Sequence, residues 1–292
     1  MLILFVTTVG YRDTHQSLQS DQKEVEVRVA SYEEVVGKKP QHATYVFTDF
    51  DRLPGWRVRE AAIYYRLLRK AGRRVLNDPA RAAERYGLLR RLHRAGINGF
   101  NAYRADELVQ PRRWPVFVRM EGSHADPLTD LLHDADALRQ ALQKCIRAGY
   151  PRTTLLIIEY AAEPVLPGLF RRLSVFRLGE TYLGYTCAHD DNWIVKYGKP
   201  AIAPLELYEE EYGFVRDNPF GDALRPAFEF GGIDYGRADF GFVDGKPQIY
   251  EINTNPDIRL FPKPSTVPRR NDSYALFRAN YLAALKAIDT PL

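Results

Sequence analysis

The chain opens with a nearly unbroken apolar run, Leu2–Val9, followed by two short runs rich in β-branched and aromatic residues, Glu24–Val29 and Thr44–Thr48. Continuous apolar runs of this length mark strands covered on both faces. From about Arg57 the period changes. Val58, Ala61, Ala62, Tyr65 and Leu68 recur at helical spacing, Arg59, Arg66, Arg69 and Lys70 fall elsewhere, and Gly72 follows as a stop. Residues 1–78 therefore predict a small α/β unit. A second helix is expected from Asp78-Pro79, with Asp as N-cap and Pro at the first helical position, to Ala95, with Gly96 as its stop. Trp114–Arg119 reads as a strand and Thr154–Tyr160 as a compact apolar one. Between them Ala137, Leu138, Ala141, Leu142, Cys145 and Ile146 form a buried helical stripe, which makes Cys145 a core residue rather than a nucleophile. Arg171–Leu183 alternates like a hairpin turning at Gly179-Glu180. Then come an acidic helix at Leu205–Tyr212, a second one leading into Phe228–Gly232, and a last helical stripe within Asp272–Ile288.

The stretch Ile233–Asp257 gathers the hardest chemistry. Asp244-Gly245 is a strong hairpin signal between two strand-like runs, Arg237–Val243 and Gln248–Asn253. Side chains alternate along a strand, so Glu251 and Asn253 share one face, roughly 7 Å apart, and Asp239 on the partner strand points to that same face. Two carboxylates and a carboxamide suit Mg²⁺, which prefers oxygen ligands and completes its shell with water and substrate phosphates. Arg237 lies two residues before Asp239 on the same side, where a guanidinium meets the charge of a phosphoryl group in transfer. The alternative is an ordinary hairpin with a polar outer face.

Composition narrows the class. At 292 residues, 45% hydrophobic and 27% charged, the chain has the make-up of a globular protein with room for two or three subdomains. A formal charge of +4, from 41 basic and 37 acidic groups, suits anionic small molecules and is far from that of a polybasic nucleic-acid protein. Cys145 and Cys187 have neither zinc nor disulfide-scaffold spacing, so a reducing cytoplasm is expected. No run approaches the roughly 20 apolar residues that span a bilayer, so no membrane partner is expected. One loop, Asp49-Phe-Asp51-Arg-Leu-Pro-Gly-Trp56, carries two carboxylates and reads either as a capped turn before a helix or as part of a substrate wall.

Asp239 together with Glu251-Ile252-Asn253-Thr254-Asn255-Pro256 resembles the metal-binding end of the ATP-grasp superfamily, which includes D-alanine:D-alanine ligases, glutathione synthetases and RimK-type glutamate ligases. The resemblance covers roughly residues 77–258. It implies an α+β fold in which two subdomains, 79–165 and 166–292, clamp ATP behind an N-terminal α/β domain, 1–78. It also implies site residues. Arg85 and Arg119 stand where the family has phosphate-binding lysines, and Gly122, Ser123 and His124 lie in the loop over the β- and γ-phosphates. That loop has one glycine, so it offers fewer free N–H groups to phosphate than a glycine-rich one. Glu159, Tyr160 and Ala161 match the adenine hinge, and Glu163 is a ribose partner. Arg172, Lys196 and Arg237 face the reacting phosphate, and Asp239, Glu251 and Asn253 hold Mg²⁺ or Mn²⁺. The implied activity is ATP-dependent joining of a small-molecule carboxylate and an amine, an amino acid or peptide among them, through an acyl phosphate. A kinase acting on an alcohol, or a nucleotide-binding protein without turnover, are the alternatives.

Overall fold

The computed structural model describes residues 2–20, 26–107 and 110–288. The expected strand residues Glu24 and Val25, and the opening Met1, lie outside them. The first sheet is parallel, in the order β2–β1–β3–β4, from β1 (Leu2–Thr7), β2 (Glu26–Ser31), β3 (Ala43–Phe47) and β4 (Val75–Leu76). α1 (Gln16–Ser20), α2 (Tyr32–Val35) and α3 (Gly55–Lys70) connect these strands. Alternation along β1 explains the unbroken apolar run. Leu4 and Val6 pack toward Ala61, Tyr64 and Leu68 of α3, while Ile3 and Phe5 face the other way, into a core with Phe277, Tyr281 and Leu285 of a helix near the end of the chain.

A second sheet is antiparallel, β5–β7–β6. α4 (Arg85–Arg94) precedes β5 (Ala102–Arg104) and β6 (Val116–Met120), and α5 (Ala135–Arg147) precedes β7 (Leu155–Glu159). Leu138 and Cys145 of α5 cover Val118, Leu155 and Ile157 on one face. Leu89 of α4 meets Leu156 and Ile158 on the other.

The third sheet runs β10–β9–β12–β13, with β8 and β11 also pairing with β9. It is built from β8 (Pro164–Leu166), β9 (Leu169–Leu178), β10 (Thr181–Gly184), β11 (Ala188–Asp190), β12 (Tyr235–Val243) and β13 (Lys246–Asn253). Between β11 and β12 come α6 (Leu205–Asp217) and α7 (Gly221–Gly231), and α8 (Pro268–Ile288) closes the described chain. The turn joining β12 to β13 has positive φ at both Asp244 and Gly245, the primed geometry that matches strand twist. One face of this sheet is apolar throughout: Leu173, Val175, Ala238, Phe240 and Ile252 pack with Leu88 and Leu92 of α4 and Phe228 of α7. The opposite face changes character along β9, from Arg172 and Ser174 to Phe176 and Leu178, which join the core against α8 and the first sheet. The site lies where that apolar cover stops.

Two local features differ from the expected pattern. Asp78 caps a single turn, with its carboxylate accepting from the Ala80 N–H at 2.9 Å, but the helix begins only at Arg85. The chain leaves helical geometry because the Ala83 N–H donates to the Gly231 carbonyl at 2.7 Å, tying this segment to the end of α7. Just before it, Asn77 adopts positive φ and uses its whole amide. Its Nδ2 donates to the carbonyls of Phe47 and Tyr235, and its Oδ1 accepts from the N–H groups of Asp234 and Tyr235, all at 2.8–2.9 Å. This amide joins the first sheet to the third.

Candidate functional site

On the polar face of the third sheet the strand register sets three rows side by side. Asp239 lies opposite Glu251 on β13 and Ser174 on β9, and Arg237 lies opposite Asn253. Asp239 is buried, and its carboxylate accepts from Ser174 Oγ at 2.7 Å, Arg172 Nη1 at 3.0 Å and Arg237 through Nε at 2.9 Å and Nη2 at 3.0 Å. Burial works against a charged Arg237, yet the Asp239 carboxylate outweighs it and raises the guanidinium's pKa. Glu251 bonds Arg85, which also donates to the carbonyls of Glu121 at 3.0 Å and Ser123 at 2.9 Å. Burial would raise the Glu251 carboxyl, but Arg85, Arg119 and His124 together hold it far below the usual carboxylate range.

A cavity opens over this face. Of the expected residues it is lined by Arg119, His124, Glu159, Tyr160, Ala161, Arg172, Lys196, Asp239 and Glu251. A smaller cavity adjoins it, lined by Arg85, Glu251, Asn253, His124 and, from the first unit, Asp51. His124 and Glu251 border both. His124 Nε2 lies 2.7 Å from Asp51 Oδ2, so the loop at 49–56 does reach the site, while Asp49 is buried and bonded to Thr8 and Arg52 as a structural turn.

Several of the expected residues have other partners in the structure. The Glu159 side chain does not reach out to a ligand. Its carboxylate accepts from Asn101 N–H, Tyr103 Oη, Arg112 N–H and Arg113 N–H, at 2.9–3.1 Å, and so pins the 99–113 segment behind the hinge. Glu163 is outside the cavity and accepts from the Asp244 N–H of the β12–β13 turn. Gly122 and Ser123 are also outside. A Cβ on Gly122 would sit 3.1 Å from the Asp51 carbonyl, and the Ser123 carbonyl accepts from Arg85 and from Arg119 at 2.9 Å. The loop meets the cavity through His124–Pro127 instead. Arg237 lies behind Asp239 rather than in the cavity wall, and Asn253 faces the smaller cavity, where its Oδ1 accepts from the Asn255 N–H.

Other cavity residues escaped the sequence reading. Phe117 shares a strand face with Arg119, and its ring lies 5.0 Å from that of Trp193, which in turn lies 5.6 Å from Tyr160. Trp193 had a faint signal, as the lone aromatic in the polar run His189-Asp-Asp-Asn-Trp. Tyr250 had none. A bulge shifts the register between Asp239/Glu251 and Phe240/Ile249, so Tyr250 and its neighbour Glu251 line the same cavity when a regular strand would set them on opposite faces.

The electrostatics favour an anion. Arg85, Arg119 and Arg172 each keep a buried Nε with no hydrogen-bond partner. Burial, with Arg85 alongside, brings the Arg119 guanidinium down to about 10, so an added negative charge there relieves the repulsion between the two. Lys196 forms a 3.3 Å ion pair with the exposed Asp126 and lies 5.2 Å from the Tyr197 ring. Among the described residues no three His, Cys, Asp or Glu side chains converge on one point. Asp239 and Glu251 bring two carboxylates to the wall of the main cavity, and Asn253 lines the smaller one beside it.

Solved structures share this architecture. The D-alanine–D-alanine ligase of Bacillus anthracis matches with a TM-score of 0.56 at 14% identity, over 99% of this chain and 98% of that one. The same ligase complexed with ATP gives 0.54 at 15% identity, over the same shares of the two chains. The VanG D-Ala:D-Ser ligase of Enterococcus faecalis gives 0.57 at 13%, over 98% of each chain. No protein-family model and no curated protein matches the sequence. At these identities the likeness is one of fold, and the chain has an ATP-grasp fold.

Proposed function

We propose that the protein is an ATP-dependent carboxylate–amine ligase that works through an acyl phosphate and releases ADP and phosphate. One observation carries this reading: a single cavity has an aromatic end at the strand end Glu159–Ala161 and a charged end where Arg119, Arg172 and Lys196 face Asp239 and Glu251. The structural neighbours named above are solved ligases, one of them complexed with ATP, which supports the same choice. The division into units 1–78, 79–165 and 166–292 belongs to this proposal and is supported by the three sheets.

Adenine packs against the ring cluster of Phe117, Trp193 and Tyr160, and the backbone of Tyr160 and Ala161 meets its edge. The triphosphate runs toward Arg119, Lys196 and Arg172, whose guanidinium and ammonium groups offset the charge spread over the transferred group. Asp239 and Glu251, with Asn253 beside them, would hold Mg²⁺, which when bound neutralises phosphate oxygens. A carboxylate oxygen of the substrate attacks the γ-phosphorus as the bond to the ADP oxygen breaks. The amine nitrogen then attacks the acyl carbon, phosphate leaves with the bonding pair, and the amine proton passes to a base. His124, oriented by Asp51 at the junction of the two cavities, is placed to take it.

The test is chromatography of the nucleotide after incubation with ATP, Mg²⁺ and mixed pools of amino acids and small acids, with product masses read afterwards. ADP with a new amide is the expected result. AMP as the main product would refute the acyl phosphate, and ADP with a phosphorylated alcohol would identify a kinase.

A further inference from the structure

Behind the wall that carries Glu159–Ala161, a separate cavity of about 330 Å³ lies between α4 and β5 and is lined by Arg90, His93, Arg94, Asn101, Tyr103 and Arg112. No acidic side chain lines it. Among the described residues none of Arg90, Arg94 and Arg112 forms an ion pair with a carboxylate. Arg90 is fixed by a 3.1 Å bond from Nη1 to Asn101 Oδ1 and by its position over the Tyr103 ring, yet its buried Nε has no hydrogen-bond partner. The buried Nδ1 of His93 has none either.

The nearest carboxylate, Glu159, lies behind the lining and is already bonded by Asn101, Tyr103, Arg112 and Arg113, so the three guanidinium groups on the cavity side keep donors that a bound anion satisfies. The forked geometry of guanidinium favours phosphate oxygens, which it meets two at a time. At about 330 Å³ the cavity is large enough for a small ligand. We propose that it is a second anion site, distinct from the cavity over the third sheet, that takes a small molecule bearing more than one phosphate group. Its position has a consequence. Asn101, Tyr103 and Arg112 all hydrogen-bond to the Glu159 carboxylate, so the occupant rests on the groups that hold the hinge strand in place.

The proposal does not depend on the ligase reading, and its test needs no turnover. Inorganic pyrophosphate is titrated by calorimetry into the full chain, into the exposed-site variant Arg94→Ala/Arg112→Ala, and into Arg119→Ala/Lys196→Ala, which removes cations from the cavity over the third sheet. A pyrophosphate-binding event weakened at least tenfold by the first pair and retained in the second is expected, with citrate weaker than pyrophosphate. Unchanged binding in Arg94→Ala/Arg112→Ala, loss confined to Arg119→Ala/Lys196→Ala, or citrate and sulfate binding as well as pyrophosphate would each overturn it. Circular dichroism of the first pair must match the parent, and Arg94→Lys/Arg112→Lys, which keeps the charge and removes the fork, is expected to bind with intermediate affinity.

Discussion

The two ends of the cavity over the third sheet are made differently. The charged end consists of named side chains on strands whose register is set by the sheet, and on the proposed reading these carry the function: Arg119 on β6, Arg172 on β9, Asp239 on β12 and Glu251 on β13. At the aromatic end it resides in strand-end backbone and in ring surfaces brought together from β6, the hinge and the loop after β11. The first kind of site tolerates almost no substitution because the charges are coupled. The second tolerates many, because any flat apolar surface covers a base.

That contrast can be broken at the charged end first. Glu251→Gln keeps shape and removes one charge from the row opposite Asp239, and ADP release at saturating Mg²⁺ is expected to fall by roughly 10²-fold or more, the scale for losing a preorganised charged group. Unaltered turnover would remove Glu251 from the chemistry. The structure adds that Arg85, almost fully buried, loses its carboxylate partner in this variant, so a lower melting temperature is expected as well.

A smaller effect separates the ends from one another. Arg119→Ala and Lys196→Ala are each expected to weaken ATP by about 1–3 kcal/mol, the range for charge-assisted hydrogen bonds, and to leave adenosine affinity as it was. Calorimetry with both ligands decides it, since equal loss for adenosine would mean that these cations act through the fold. Trp193→Ala should do the reverse, weakening ATP and adenosine alike by roughly 0.5–1.5 kcal/mol, as expected for one aromatic contact. If it affects ATP alone, the aromatic end has been misread.

The smallest effect on turnover, and a distinct one on stability, is expected away from both ends. Burial pushes Glu211 up to about 7, against the pull of Arg270 and the N–H of Cys187. The folded chain then holds this proton more tightly than the unfolded one, whose carboxyl titrates near 4.5, so stability falls as pH rises from 4.5 to 7. Burial lowers His15 to about 3 and His189 to about 4, and these act with the opposite sign: their contribution is present above 6.5 and is lost as pH falls. Glu211→Gln removes the first trend and leaves the second. Urea midpoints at pH 5 and pH 7.5 should therefore rise with pH in the variant more steeply than in the parent, with turnover unaffected. Parallel profiles would show that Glu211 is not the group responsible.

Much of the charged end was legible because its residues alternate on strands. A period of two pairs Arg237 with Asp239 and Glu251 with Asn253 along their own strands, but only the bulge between Asp239 and Phe240 sets the two pairs on one face, since an unbroken register from Asp244-Gly245 would put Tyr250 opposite Asp239. Arg172 and Lys196 needed more, a resemblance to place them near the same phosphate. What misled the reading was local chemistry without its tertiary partner. Glu159 looks like a ligand-facing carboxylate until the 99–113 segment is seen to donate four hydrogen bonds to it. Asp78-Pro79 is a sound helix start, and the helix failed there because the Gly231 carbonyl claims the Ala83 N–H.

The sequence by itself determined the elements: which runs are strands, where the two hairpins turn, and which stripes of α5 and α8 face the core. These depend on contacts within a few residues or across one turn. Tertiary structure alone decided which groups from distant segments converge. The bulge that brings Tyr250 beside Glu251, the His124–Asp51 pair joining the first unit to the phosphate loop, and the Asn77 amide between two sheets all depend on approaches made by separately folded pieces. Such approaches are fixed by the packing of whole faces against one another, and no local pattern in the chain encodes them.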